Sequence, residues 1–493
     1  MKCGLPGLTG AAARSEQPAE VVSSVHRKQD KNGRLWYDRA MAERRRLTRD
    51  REFYRRFVKL GSALILEQIA VLCVNLLDNV MIGHYAEASL AGIAAVNQVQ
   101  FVFQCLIYGV SSSVLALASQ YRGKGQNDPV KAILASAMRM ALLVAVVFFI
   151  IAACFPTQLM RCFTSDEAVI AEGTAYLKII KYTYLFFAVS NCLLGAMRVV
   201  ETIMISIYVS FLSLGINFFL DFTLIYGRFG APRMGVQGAA VGTLAARSIE
   251  LLIVAVYVFR VDRKLQLCGR DFLRRDRLLA RDYLAAGTPI MISQFLWGFS
   301  NALQNVILGQ MSSRALAAYS ASTVLYQLLK VAAQGGASAA VLLVGQAVGQ
   351  RDRNRVEEYA GTLQVLFLAM GICLGAIYFL VKGPLLSLYT LAPDTYRLAS
   401  QFMTLQSLVI IGMTYQMPTI TGIIRGGGDT RFQLVLDLVS IWGIVLPVSA
   451  CGAFIFHWPP LLIAFCLNMD QFFKCIPAWI KVNKGTWIRV LTR

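Results

Sequence analysis

Asp78, Asn217, Asp221 and Thr243 are the residues of this chain whose types and spacing best suit ion chemistry inside an apolar environment. Asp78 lies in NLLDNVMIG (75–83), with Asn75 close by. Glu67 comes eleven residues earlier, three helical turns, so the two carboxylates share one helix face. Asn217 and Asp221 stand i,i+4 in NFFLD, which again puts two oxygen-bearing groups on one face, and Thr243 in GAAVGT adds a hydroxyl. A charge in hydrocarbon costs at least about 2.5–3.5 kcal/mol on insertion scales, so ionisable groups there need a reason. Carboxylates, amides and a hydroxyl in a half-dry pocket suit either of two tasks: coordinating Na⁺ through hard oxygens, or holding a proton on a carboxylate whose affinity burial has raised. The plainer account is that each acid only bonds a neighbouring helix. Two acids with paired amides in the same half favour the ion site.

The surroundings that must position these groups are membrane spans. Mean hydropathy is +0.56, and 15% of residues are charged against roughly 25% in an average soluble domain. Mostly apolar stretches long enough to cross a bilayer recur at 57–83, 92–120, 131–155, 173–196, 203–227, 234–259, 284–310, 316–348, 360–381, 396–424, 432–456 and 459–481. The fold expected is therefore an all-α integral membrane protein of twelve transmembrane helices. The net charge of +20 would suit nucleic acid, but its distribution follows topology instead. With the N-terminus inside, 15 Lys/Arg precede or include Lys59, 21 fall in inside loops and the C-terminus, and only five fall outside. Basic residues resist translocation, so both termini are expected in the cytoplasm, and nucleic acid is not an expected partner. The 11 cysteines show no CxxC or Cys/His metal spacing, and most sit in spans as small apolar groups.

An internal repeat organises the chain. A shift of 226 positions lays Phe57–Asp128 on Tyr283–Asn354 without a gap. Gly61 meets Gly287, Gln68 meets Gln294, Asn75 meets Asn301, Gln120 meets Gln346, and Gly123 meets Gly349. GAMRVVET (195–202) resembles GIIRGGGDT (422–430) with one insertion. An even number of spans per half makes the repeats parallel, related by an axis along the membrane normal. The parts expected are a basic cytoplasmic tail (1–55, disordered at least to residue 40), an N-lobe (57–259), a basic linker (260–283), a C-lobe (284–481) and a cytoplasmic C-terminus (482–493).

The second half lacks the polar set of the first. Asp78 maps to Gln304 and Asp221 near Ser449, so ion coupling is expected in the N-lobe. Lys178, Lys181, Arg247, Glu250, Lys330, Asp437, Asp470 and Lys474 are read as snorkelling or satisfied near an interface and receive no role. RGGGDT (425–430) lacks the Lys-Ser/Thr and flanking strand of a phosphate loop; it reads as a tight turn between spans.

NLLD (75–78), the Gln120–Gly125 turn, NFFLDFTLIYG (217–227), MGVQGAAVGT (234–243) and RGGGDT together resemble the multidrug and toxic compound extrusion (MATE) family, bacterial type, from about residue 57 to 481. The resemblance implies a two-lobe antiporter that exports organic cations, drugs or other amphipathic compounds in exchange for H⁺ or Na⁺. It also implies cation ligands at Asp78, Asn217, Asp221 and Thr243, with Glu67 and Asn75 as accessories. Two departures concern bending and turning: Ala63 stands where the family often has a proline in span one, while Pro289 keeps it in the second half, and VVE (199–201) replaces the glycine turn. The protein is expected to sit in the cell (inner or plasma) membrane as a monomer among lipids. It needs no cofactor beyond the coupling ion and is not expected to be an enzyme. The nearest rival is a lipid-linked saccharide flippase of similar architecture, which would line its cavity with several basic residues. A non-transporting membrane scaffold is the rival from another class.

Overall fold

The computed structural model describes residues 47–493 except 84–86, 165, 310–311, 388 and 390–391; the side chains of 75–80, 82–83, 87–89 and 313 are also outside the description. The expectation of a disordered tail up to residue 40 therefore lies outside the described residues. The long helices, here α1 to α12, are Arg51–Gly83, Glu87–Gly123, Asn127–Cys154, the bent pair Glu167–Ile180 and Tyr182–Val199, Met204–Tyr226, Val236–Val256, Arg277–Gly309, Ser313–Gly349, Arg353–Leu386, Pro393–Ile424, Thr430–Ile455 and Pro460–Lys484. No strand occurs among the described residues, only an isolated bridge between Gly428 and Ile488.

Ten of these helices are long and apolar enough to cross a membrane, and the α4 pair, bent by 48°, makes an eleventh. The twelfth, α7, is as long as its neighbours, but Gln294, Asn301, Gln304 and Asn305 dilute its apolar character because they face a cavity. Large apolar side chains such as Leu143, Ile150, Phe219, Leu252, Leu380 and Ile476 point outward, as lipid-facing residues do. The chain is thus a multi-pass membrane protein.

Helix ends outrun the apolar windows. α1 begins at Arg51 and α7 at Arg277, so the end of the basic linker is already helical. Hydropathy marks only the part that needs lipid, whereas i to i−4 hydrogen bonding continues as long as the backbone permits. The rest of the linker folds against the first lobe: Lys131 donates to the Gln266 carbonyl at 2.9 Å and pairs with Asp271 at 3.3 Å.

The repeat is visible in the packing. α2 lies along α7 and α8, while α8 lies along α1 and α2, so the α2–α7 contact between halves has its mate in α8–α1 at a 226-residue shift. At one end of the bundle α2 and α8 meet backbone to backbone. A Cβ on Gly123 would collide with the Gln346 carbonyl, and one on Gly349 with the Gln120 carbonyl, so only glycine permits the crossing at these paired positions.

Candidate functional site

In the first lobe, α5 presents Asn217 and Asp221 to α6. Both are buried, Asp221 completely. Asn217 donates through Nδ2 to Thr243 Oγ1 at 3.4 Å, while its Oδ1 is buried with no hydrogen-bond partner among the described residues. The Asp221 carboxylate rests on Gly242, where any Cβ would strike its Oδ1. The GAAVGT sequence thus opens a notch that admits a carboxylate between two helices. α1 packs on α5, but the Asp78 and Asn75 side chains lie outside the described residues.

Glu67 is engaged elsewhere. It forms a buried ion pair with Arg198 at the end of α4. A second buried pair, Arg247 to Glu250 at 2.7 Å, is joined by Ser190 at 3.2 Å. These groups knit helices of the first lobe together, so Arg247 and Glu250 are satisfied by a partner rather than extended as snorkelling side chains.

A cavity of about 640 Å³ opens beside the second lobe, within the roughly 300–1,000 Å³ range of small-molecule sites. None of Asn217, Asp221 and Thr243 is on its wall. These residues lie instead in a buried seam where α5 and α6 pack directly on each other.

Asp437, Asp470 and Lys474, read as snorkelling or satisfied near an interface, are satisfied by one another on the cavity wall. Lys474, almost fully buried, pairs with Asp437 at 2.9 Å and Asp470 at 3.1 Å. Asp437 accepts from Ser293 at 2.6 Å and from Gln433 at 3.3 Å; Asp470 accepts from Gln471 at 2.8 Å. Arg425 donates to Gln433. Pairing of Lys474 with both acids is what lets those three charges sit in a low-dielectric interior. Sequence reasoning named Asp437, Asp470 and Lys474 but gave them no role. The signal available was the i,i+4 pair Asp470/Lys474 in an otherwise apolar helix.

At the Gly123/Gly349 end, polar bonds lock the two lobes. Arg56 of α1 donates to Glu201 and, at 2.7 Å, to Gln346 of α8, and Gln346 donates to Glu201 at 2.9 Å. Glu201 holds φ +57°, a left-handed conformation usually left to glycine. In the VVE turn, a glutamate therefore accepts backbone strain and supplies a carboxylate that spans the lobes. Across the repeat, Gln120 donates to the Gly426 carbonyl at 3.2 Å and accepts from Leu491 N–H at 2.8 Å. The C-terminal tail lies over this junction: Trp487 is buried, Arg489 N–H bonds Gly427 O at 2.7 Å, and Arg493 pairs with Asp282 at 2.7 Å.

Comparison with known proteins agrees with this architecture. The MatE family model matches the chain twice, over residues 63–223 and 289–451. The two matches begin 226 residues apart, the same shift as the repeat. The chain is 28% identical over 407 residues to a probable multidrug resistance protein NorM from Agrobacterium fabrum, covering 80% of this chain and 86% of that protein. Among solved structures it resembles a MOP superfamily transporter from Pyrococcus furiosus, with a TM-score of 0.79 at 16% identity over 91% of this chain and all of that one. It also resembles an outward-facing multidrug resistance MATE family transporter, with a TM-score of 0.79 at 17% identity over 89% of this chain and 98% of that one. With a family model covering both halves of a two-lobe helical bundle, the chain belongs to the MatE family of membrane transporters and is not an enzyme.

Proposed function

We propose that the protein is a multidrug exporter of the secondary active type, expelling organic cations, drugs or other amphipathic compounds in exchange for inward H⁺ or Na⁺. The observation that carries this reading is the separation of two polar sites in one two-lobe bundle. One is the buried Asn217/Asp221/Thr243 seam in the first lobe; the other is a drug-sized cavity beside the second. Asp78, Asn217, Asp221 and Thr243 hold the coupling ion. The unsatisfied Asn217 Oδ1 and the carboxylate of Asp221 are the oxygens that a small cation or a proton-sharing carboxyl would engage.

Coupling needs only that ion and substrate prefer different arrangements of the lobes. An ion entering the α5/α6 seam changes the charge buried between helices and so shifts their packing. In this reading the end closed by Gln120, Gln346 and the tail is cytoplasmic, with both termini inside and the bundle in the plasma or inner membrane; the charge distribution supports that orientation. The protomer acts alone among membrane lipids.

The test is efflux of a fluorescent cation from proteoliposomes under separately imposed Na⁺ and pH gradients. Asp221→Asn should fold and insert normally yet lose gradient-driven export. Unchanged uphill export by that variant would defeat the ion-site assignment.

A further inference from the structure

A second concave surface lies on the outside of the bundle, at the end that carries the C-terminal tail. It is a groove of about 650 Å³, open along one side and walled by α7 and α11 alone. Arg277, Arg281 and Arg431 rim it, all three exposed. Asp282, next to Arg281, pairs with Arg493, which fixes the rim at the tail end. Farther along the helices the wall is formed by Leu284, Ile292 and Leu434. Leu284 and Ile292 are exposed in the manner of lipid-facing residues. The groove therefore runs from a charged end to an apolar one, and Arg281 to Ile292 spans about 16 Å of helix.

The three guanidinium groups make no ion pair or side-chain hydrogen bond among the described residues. The neighbouring acids are committed elsewhere. Asp276 accepts from the Leu278 and Leu279 N–H groups at the start of α7, and Asp282 holds Arg493. Asp429 holds Lys481 at 2.8 Å and Arg489 at 3.5 Å. Three like charges around one groove attract an anion, and guanidinium groups match phosphate oxygens with paired N–H donors. The repeat supplies an internal control. A shift of 226 lays Arg277 and Arg281 on Arg51 and Arg55, both exposed at the start of α1, but buried Ile203 stands where Arg431 would be.

We propose that this groove binds an anionic phospholipid, its phosphate among Arg277, Arg281 and Arg431 and an acyl chain along Leu284, Ile292 and Leu434. The occupant comes from the leaflet at the tail end, cytoplasmic in the orientation proposed above. Basic pockets between spans recognise such headgroups. A soluble phosphate would leave the apolar wall unused, whereas a lipid meets charge and hydrocarbon in the order the groove presents them. A zwitterionic lipid brings an ammonium that the arginines repel. A seated lipid adds a tie between α7 and α11 to the one made by Ser293 and Asp437 at 2.6 Å. The assignment does not depend on which solute or ion is carried.

The purified full-length protein in detergent is titrated with phosphatidylglycerol or phosphatidylcholine of identical acyl chains, and the first bound lipid is read by native mass spectrometry. Phosphatidylglycerol should bind about tenfold more tightly. Arg277→Gln with Arg281→Gln should abolish that preference, and Arg431→Gln alone should reduce it. Arg51→Gln with Arg55→Gln removes the same charge from the other lobe and should leave the preference intact. Ala285→Trp, at an exposed wall position, fills the groove without touching its charge and should weaken phosphatidylglycerol several-fold. Millimolar inorganic phosphate should not displace the lipid. Equal affinity of the two lipids for the unaltered protein would overturn the proposal without reliance on any variant. The same loss from the Arg51/Arg55 pair would reduce the effect to general basicity and overturn it too. Unchanged binding by Ala285→Trp, or displacement by phosphate, would show an anion held at the rim alone and remove the lipid.

Discussion

In the first lobe, Asn217, Asp221 and Thr243 close on each other between α5 and α6 and exclude the cavity. At the corresponding position of the second lobe stands Ser449, buried and uncharged. That lobe instead carries an ionisable triad on α11 and α12, where Asp437, Asp470 and Lys474 border open space. The backbones remain repeat mates, down to the Gly123/Gly349 crossing and the paired glutamines. The difference shows which parts of a duplicated bundle are free to diverge. Helix crossings demand small residues in both copies, whereas the interior polar groups need only be satisfied wherever they fall.

Several variants would break or sharpen this contrast. The largest effect is expected from Asp221→Asn against Asp437→Asn in gradient-driven efflux. The first should reduce ion-driven export to the leak level; the second should keep the response to the gradient and weaken substrate affinity about three- to tenfold. Equal loss of gradient response in both would erase the division between lobes. Next come the buried ion pairs. Lys474→Met leaves two acids facing each other, and Glu67→Gln leaves Arg198 without its counter-charge. Each should cost about 3–5 kcal/mol of stability, read as a lowered midpoint of detergent-solubilised unfolding.

Gly123→Val and Gly349→Val should disturb the lobe junction to similar extents, because each side chain meets the partner's glutamine carbonyl. Spin-label distances between the ends of α2 and α8 should lengthen in both variants; lengthening in one alone would deny the symmetry. Removing residues 486–493 takes away the Gln120 and Gly427 contacts of the tail and should produce a smaller lengthening at the same end. The smallest effect is expected for Arg161→Ala, whose exposed pair with Glu167 at 3.4 Å should contribute less than about 1 kcal/mol.

The amino-acid pattern alone established that this is a membrane bundle, that its halves repeat, and which glycines and glutamines correspond. Such features depend on local apolar length and on identities repeated in register, both of which are written along the chain. It also picked out Asn217 and Asp221, because i,i+4 spacing on a helix already implies one face. What only the tertiary structure decided is where each polar group finds its partner. Glu67 and Asp78 share a spacing, yet Glu67 is taken by Arg198, 131 residues away. Asp437 finds Ser293 on one helix and Lys474 on another. Lys330 meets Trp297, which comes from another helix, at the cavity wall. The physical reason is that the cost of a buried charge is set by whatever lies within a few ångströms of it, and in a bundle those neighbours come from helices far apart in the chain.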